Sequence, residues 1–137
     1  MNYLLDTNVC IALINGRVPV IRSRFEKALA SDCKVLVSCV VAFELWYGVA
    51  KSARQEKNAR LVDSFFAGPV SIQAFEFEDA KVAGRLRGAL EVVGKPIRAY
   101  DLLIAAQALR HQLMLVTANG REFGRIAGLD WQDWSKA

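Results

Sequence analysis

The chain has 137 residues, 53% hydrophobic and 23% charged, which suits one ordinary globular domain and argues against disorder. Its 18 Lys and Arg against 14 Asp and Glu give a formal charge of +4, a mild bias toward a polyanionic partner that decides nothing alone. No apolar run approaches the roughly 20 residues that span a bilayer, the start Met1 to Asp6 lacks the basic region of a signal peptide, and the expected location is the cytoplasm.

The elements alternate along the chain. Asn2 to Leu5 reads as a short strand running into Asp6. Thr7 to Asn15 reads as a helix with Gly16 as its stop, and Val18 to Ala30 carries Val20, Ile21, Phe25, Ala28 and Leu29 at near-helical spacing. Lys34 to Val37 is a buried strand. Ser38 is placed to cap a helix from about Cys39 to Ala50. A charged helix from Ser52 to Phe66 ends at Gly68-Pro69, and Val70 to Gln73 is a third strand. Glu78 or Asp79 opens a helix to Val93, closed by Gly94-Lys95-Pro96. Tyr100 to His111 is helical, Leu113 to Val116 is a fourth strand, and a last short strand is expected near Asp130-Trp131. The whole of 1–137 reads as one domain.

Strands alternating with long helices imply βαβ units and a parallel sheet. The runs Val35 to Val37 and Leu113 to Val116 have the unbroken apolar character of strands buried on both faces. The expected fold is a three-layer α/β/α sandwich around a mainly parallel sheet of four or five strands. Ligands of such sheets bind beyond the carboxyl ends of the strands.

Polar residues fall at that edge. Asp6 follows the first strand, Glu44 lies in the helix after the second, Asp101 opens an apolar helix, and Asn119 follows the fourth strand. Carboxylates gathered there would repel and raise at least one pKa. A hard divalent cation, which prefers oxygen ligands, relieves that repulsion and can activate water for phosphodiester hydrolysis. Each acid also has a plainer reading. Asp101 could cap its helix. Glu44, among Val40, Val41, Ala42, Phe43, Leu45 and Trp46, could pair with a nearby Lys or Arg.

Four blocks carry a resemblance. They are Leu4-Leu5-Asp6-Thr7-Asn8, Ser38 to Gly48 with Glu44 inside it, Tyr100-Asp101-Leu102-Leu103-Ile104-Ala105-Ala106-Gln107-Ala108, and Val116-Thr117-Ala118-Asn119-Gly120-Arg121-Glu122-Phe123. In order and spacing the chain resembles the PIN-domain ribonucleases, in the toxin branch called VapC, over nearly its whole length. The resemblance implies an Mg²⁺- or Mn²⁺-dependent endoribonuclease. Asp6, Glu44 and Asp101 would be the metal-binding acids, Thr7 and Asn8 would shape the Asp6 loop, and Thr117 would support the centre. It also implies a VapB-like antitoxin partner, a homodimer, and contact with DNA only through that antitoxin. At the fourth acidic position many relatives carry Asp. Here the position falls to Asn119 or, further on, Glu122, and that departure leaves a second metal open.

Other residues have structural readings beside functional ones. Asp79 reads as a helix N-terminal acid. Arg85, Arg87, Lys95, Arg98, Arg121 and Arg125 read singly as solvated cations, and Arg98 and Arg121, next to the acidic blocks, are candidates for RNA contact. Trp46 and Tyr47 read as packing residues able to stack a base. His111 suits a helix C-terminus. Cys10, Cys33 and Cys39 read as buried reduced thiols without disulfide or zinc spacing. Two other functions compete. One is an Mg²⁺-dependent phosphatase using Asp6 as nucleophile, weakened by Asn8 where such enzymes carry a second Asp and by Lys95 in a loop. The other is a non-catalytic binding module that keeps the fold.

Overall fold

The computed structural model describes residues 1–136. In chain order the elements are β1 (Tyr3–Leu5), α1 (Thr7–Asn15), α2 (Pro19–Ala30), β2 (Val35–Ser38), α3 (Cys39–Ala50), α4 (Gln55–Ala67), β3 (Ser71–Gln73), α5 (Phe77–Val92), α6 (Ala99–Arg110), β4 (Met114–Val116), α7 (Gly120–Phe123) and β5 (Trp131–Gln132). The five strands lie in the order β3-β2-β1-β4-β5, and each neighbouring pair is parallel. Helices flank this sheet in a three-layer α/β/α sandwich, as the alternation of elements predicts.

The position of β1 governs everything that follows. It pairs with β2 on one side and β4 on the other, so Leu5 stands opposite both Val37 and Val116. From β1 the chain proceeds outward through β2 to β3, then crosses back to β4 on the opposite side. The carboxyl ends of β1 and β4 therefore flank a crevice where the strand order reverses, the place where open α/β sheets bind ligands. Asp6 follows one of those ends and Thr117 follows the other.

Central strands are apolar because both their faces are covered. Leu4, Leu5, Val35, Val37, Leu115 and Val116 are at most 1% exposed. The edge strand β3 departs from that pattern, and its Ile72 is 57% exposed, since only one neighbour and one face shield it. Residues after β5 are pinned by Trp134, which is buried, meets Tyr3 edge-on at 5.3 Å, and donates its indole N–H to Gln132.

Helix ends follow their local chemistry. Gly16 takes a left-handed conformation, φ 65°, and its N–H closes α1 on the Ala12 carbonyl. Ser38 caps α3 by accepting from the Val40 N–H at 2.9 Å. Pro19 occupies the first turn of α2, where its missing N–H is harmless. Most ends differ from expectation by about one residue, and three differences have a plain cause. α4 begins at Gln55 rather than Ser52, because the Ser52 N–H turns back to the Val49 carbonyl. α5 begins at Phe77, one residue earlier, because Glu76 and Asp79 form a reciprocal capping box. The one-turn α7 after Asn119 was not anticipated, being too short for any periodicity to reveal.

One expectation is corrected. Only Cys10 is buried, while Cys33 is half-buried and Cys39 is exposed. Cys39 opens α3 on the side opposite Val41 and Leu45, which alone of that helix are fully buried.

Candidate active site

Asp6 is the best-anchored of the predicted acids. It is 7% exposed, and its Oδ1 accepts from the Val9 N–H at 2.9 Å, so it also caps α1. Its own N–H donates to the Val116 carbonyl at 3.0 Å, tying the start of α1 to the end of β4. Burial raises its pKa. The Thr117 hydroxyl and the Val9 N–H oppose that rise, and the charges of Glu44 and Asp133 reinforce it.

Thr117 is fully buried beside Asp6, whose pKa its hydroxyl lowers, and its Oγ1 accepts from the Asn119 N–H at 3.0 Å, which fixes the turn that starts α7. Thr7 anchors the second acid. Its hydroxyl donates to Glu44 Oε1 at 2.8 Å, joining α1 to α3. Glu44 therefore meets a hydroxyl, and among the described residues it makes no ion pair with a Lys or Arg.

Asp101 sits in the first turn of α6, but the cap position belongs to Arg98, so helix capping does not account for it. Its carboxyl is pushed up to about 6, first by burial and then, against the pull of Arg98, by the neighbouring carboxyl groups of Glu122 and Glu44.

At the fourth position, Asn119 Nδ2 donates to Glu122 Oε2 at 3.0 Å, and the Glu122 carboxyl lies close enough to Asp101 to raise its pKa. The signal in the sequence was the three-residue spacing, which puts positions 119 and 122 on one face of a helical turn. Other predicted residues lie further out. Asn8 is exposed on the first turn of α1 and takes no part in these hydrogen bonds, and Arg121 is exposed on α7. Arg98 is exposed yet close enough to Asp101 to lower its pKa. Phe43, Trp46, Tyr47 and Tyr100 are between 38% and 57% exposed, so Trp46 and Tyr47 do not belong to the core. A groove of about 550 Å³ beside the acids is lined by Thr7 and Glu44 together with Phe43, Tyr47, Lys51, Arg98 and Tyr100.

The donor set fits a divalent cation on chemical grounds. Asp6, Glu44, Asp101 and Glu122 offer only oxygen, as hard cations require, and their mutual repulsion is the kind that a cation relieves.

A second acidic group has the opposite balance. Glu76, Asp79 and His111 place three potential ligand atoms within 4.8 Å of one another. There Arg110 donates through Nε to Asp79 and through Nη2 to Glu76, both at 2.6 Å, and His111 Nε2 lies 3.3 Å from Asp79. Asp79 is fully buried, which alone would raise its pKa. The Arg110 bond and charge and the Glu76 N–H outweigh burial and hold it below its ordinary value. Its helix-terminal role is as expected, and Arg110 adds a clamp between α5 and α6 that fills the space a cation would need.

Residues 3–129 match the family model described as PIN domain. The tRNA(fMet)-specific endonuclease VapC of Shigella flexneri is 33% identical over 98% of this chain and 99% of its own length. Ribonuclease VapC2 of Rickettsia felis is 38% identical over 99% of this chain and 100% of its own. The crystal structure of VapBC2 from Rickettsia felis bound to a promoter DNA fragment superposes with a TM-score of 0.91, at 36% identity over 98% of this chain and 99% of that one. On this agreement in sequence and in fold, the chain belongs to the PIN-domain family, in its VapC branch.

Proposed function

We propose that this chain is a divalent-metal-dependent endoribonuclease, the toxin of a toxin–antitoxin pair, with Asp6, Glu44, Asp101 and Glu122 as its acidic centre. The observation that carries the reading is the placement of Asp6 at the carboxyl end of β1, Glu44 bonded to the neighbouring Thr7, and Asp101 raised by burial and by Glu122 and Glu44. A polyanionic substrate would not enter such a site unaided. A bound Mg²⁺ or Mn²⁺ would offset that charge, polarise the phosphodiester and make a water more acidic.

The chain's own residues supply position. The Val9 N–H holds Asp6, the Thr7 hydroxyl holds Glu44, and the Asn119 amide holds Glu122. These fixed oxygens set where a cation and a phosphate would lie, which is how orientation contributes to rate. Arg98, on the rim next to Asp101, is placed to meet a phosphate oxygen. The names of the relatives support ribonuclease activity, and the VapBC2 assembly on promoter DNA supports a VapB-like antitoxin that reaches DNA on the toxin's behalf. A homodimer and a cytoplasmic, non-membrane setting complete the proposal, and no helix among the described residues is long and apolar enough to cross a membrane.

The test is incubation of purified protein with RNA and Mg²⁺ or Mn²⁺, with and without EDTA. Cleavage abolished by the chelator and by Asp6→Asn supports the reading. Intact RNA with phosphate released from a small ester would instead favour Asp6 as a phosphatase nucleophile, and neither activity would favour a binding module.

A further inference from the structure

Gly120 opens α7 where there is no room for a side chain. A Cβ there would stand 2.6 Å from Cζ2 and from Cζ3 of Trp131, and closer still to Cη2. That is well inside the roughly 3.5 Å at which carbon atoms attract. The far edge of the indole therefore lies directly against the backbone of the turn. Trp131 belongs to the edge strand β5, where it pairs with Leu115 of β4. At 38% exposed it is no part of the buried core, so Gly120 is its seat. A tryptophan that merely covered the sheet edge would need no glycine opposite it.

α7 depends on such contacts. A single turn has little stability of its own, because nucleating a helix costs more than four residues return. Phe123, 1% exposed, anchors the turn in the core, and Thr117 Oγ1 holds the Asn119 N–H at its start. Trp131 adds a contact from β5. The turn so held carries Glu122, which accepts from Asn119 Nδ2 and neighbours Asp101. Just past the turn, Arg125 donates to the Pro96 carbonyl at 2.9 Å, two residues before Arg98. A shift of α7 would thus reach Glu122 directly and the start of α6 through Arg125.

We propose that Trp131, seated on Gly120, is a positioning residue for the acidic centre, holding α7 so that Glu122 reaches the cation site. The proposal rests on the metal-dependent reading above. It adds a residue that no carboxylate pattern marks, on the far side of the turn from the acids it serves.

The experiment measures Mn²⁺ binding to the full chain by calorimetry, with Tm as the control for folding. Trp131→Ala should raise the Mn²⁺ Kd about tenfold, the lower end of the scale for groups that orient metal ligands. Trp131→Leu should raise it less, and serves if the alanine variant does not fold. Gly120→Ala should also weaken binding, and combining it with Trp131→Leu should recover affinity, since the smaller side chain makes room for the methyl group. In a Glu122→Gln background, Trp131→Ala should change Kd by no more than about twofold, because a residue acting through Glu122 has nothing left to position. Full additivity of those two substitutions would overturn the proposal. So would Trp131→Ala or Trp131→Leu lowering Tm while Kd stays at the wild-type value. A metal-free arm separates the two readings. In EDTA, Trp131→Ala should shift the Asn119 side-chain amide resonances and speed exchange of the Gly124 N–H, which closes α7 on the Gly120 carbonyl at 2.8 Å. Those changes in a chain whose wild type binds no Mn²⁺ would remove the metal and leave the positioning role. Tight Mn²⁺ binding untouched by Trp131→Ala would remove the positioning role and leave the metal.

Discussion

Glu44 raises the pKa of both Asp6 and Asp101, and Glu122 that of Asp101, with Arg98 as the opposing cation, while Glu76 and Asp79 meet across Arg110 with His111 beside them. Both groups gather acids from distant elements, and both bury at least one. Their chemistry differs because of the counter-charge. Arg110 bridges its two acids and holds Asp79 low, whereas burial and neighbouring carboxylates hold Asp6 and Asp101 high. The balanced group is a fastener, and the unbalanced one is where the proposed cation would bind. Proximity of acids alone does not tell them apart, since the fastener brings its ligand atoms within 4.8 Å.

The sharpest way to break this comparison is to neutralise one acid in each group. Asp6→Asn or Asp101→Asn should lower RNA cleavage on the order of a thousandfold, the scale of several kcal/mol of lost charge stabilisation. Asp79→Asn should leave cleavage per folded molecule within about twofold and reduce stability by roughly 2 kcal/mol, read by chemical denaturation, through loss of its charged hydrogen bonds. Equal effects on cleavage from both would erase the distinction.

Arg110→Ala should lower the Tm by leaving buried Asp79 without its partner. It should also turn the fastener into a weak cation site. In an Asp6→Asn, Asp101→Asn background, Mn²⁺ should then raise Tm only when Arg110 is absent. A variant that gains no response to Mn²⁺ would show that counter-charge is not what separates the two groups.

Titration gives a third test, with opposite signs for the two groups. Asp101 is raised to about 6 in the fold from an ordinary value of 3.8, so its ionisation destabilises the metal-free protein as pH climbs between those values, and fully above them. Divalent cation should therefore stabilise most at pH 7 to 8, by about 2.7 kcal/mol at a hundred times Kd, and the gain should shrink as pH falls through 6. Asp79 is lowered, so its contribution is full above its ordinary 3.8 and is lost only as pH falls below that. Thermal melts with Mg²⁺ and with EDTA across pH 4 to 8 would separate the two. A metal response independent of pH would count against Asp101 as a ligand.

The smallest effect concerns the fourth acid. Asn119→Asp removes the amide that holds Glu122 and adds a repelling charge. It should lower metal-free stability by about 1 kcal/mol and tighten Mn²⁺ binding, measured by calorimetry. Unaltered affinity would leave position 119 as a turn residue only.

Much of the fold was legible because its signals are local. Alternating apolar runs and helical periodicities marked the elements within one to three residues, and continuous runs such as Val35 to Val37 marked strands covered on both faces. α7 was invisible because one turn has no period, and exposure along β3 depended on its place at the edge. Asp6, Glu44 and Asp101 stood out as carboxylates set in apolar surroundings near strand ends.

From the sequence by itself came the parallel α/β architecture and the three acids its strand order would gather at one edge, because periodicity and chain order are carried by neighbouring residues. Only the tertiary structure decided that Asn119 donates to Glu122, that Arg110 clamps Asp79, and that Phe43, Tyr47 and Tyr100 share one groove. Charge balance and shared surface depend on which distant side chains come within a few ångströms, and that is set by packing.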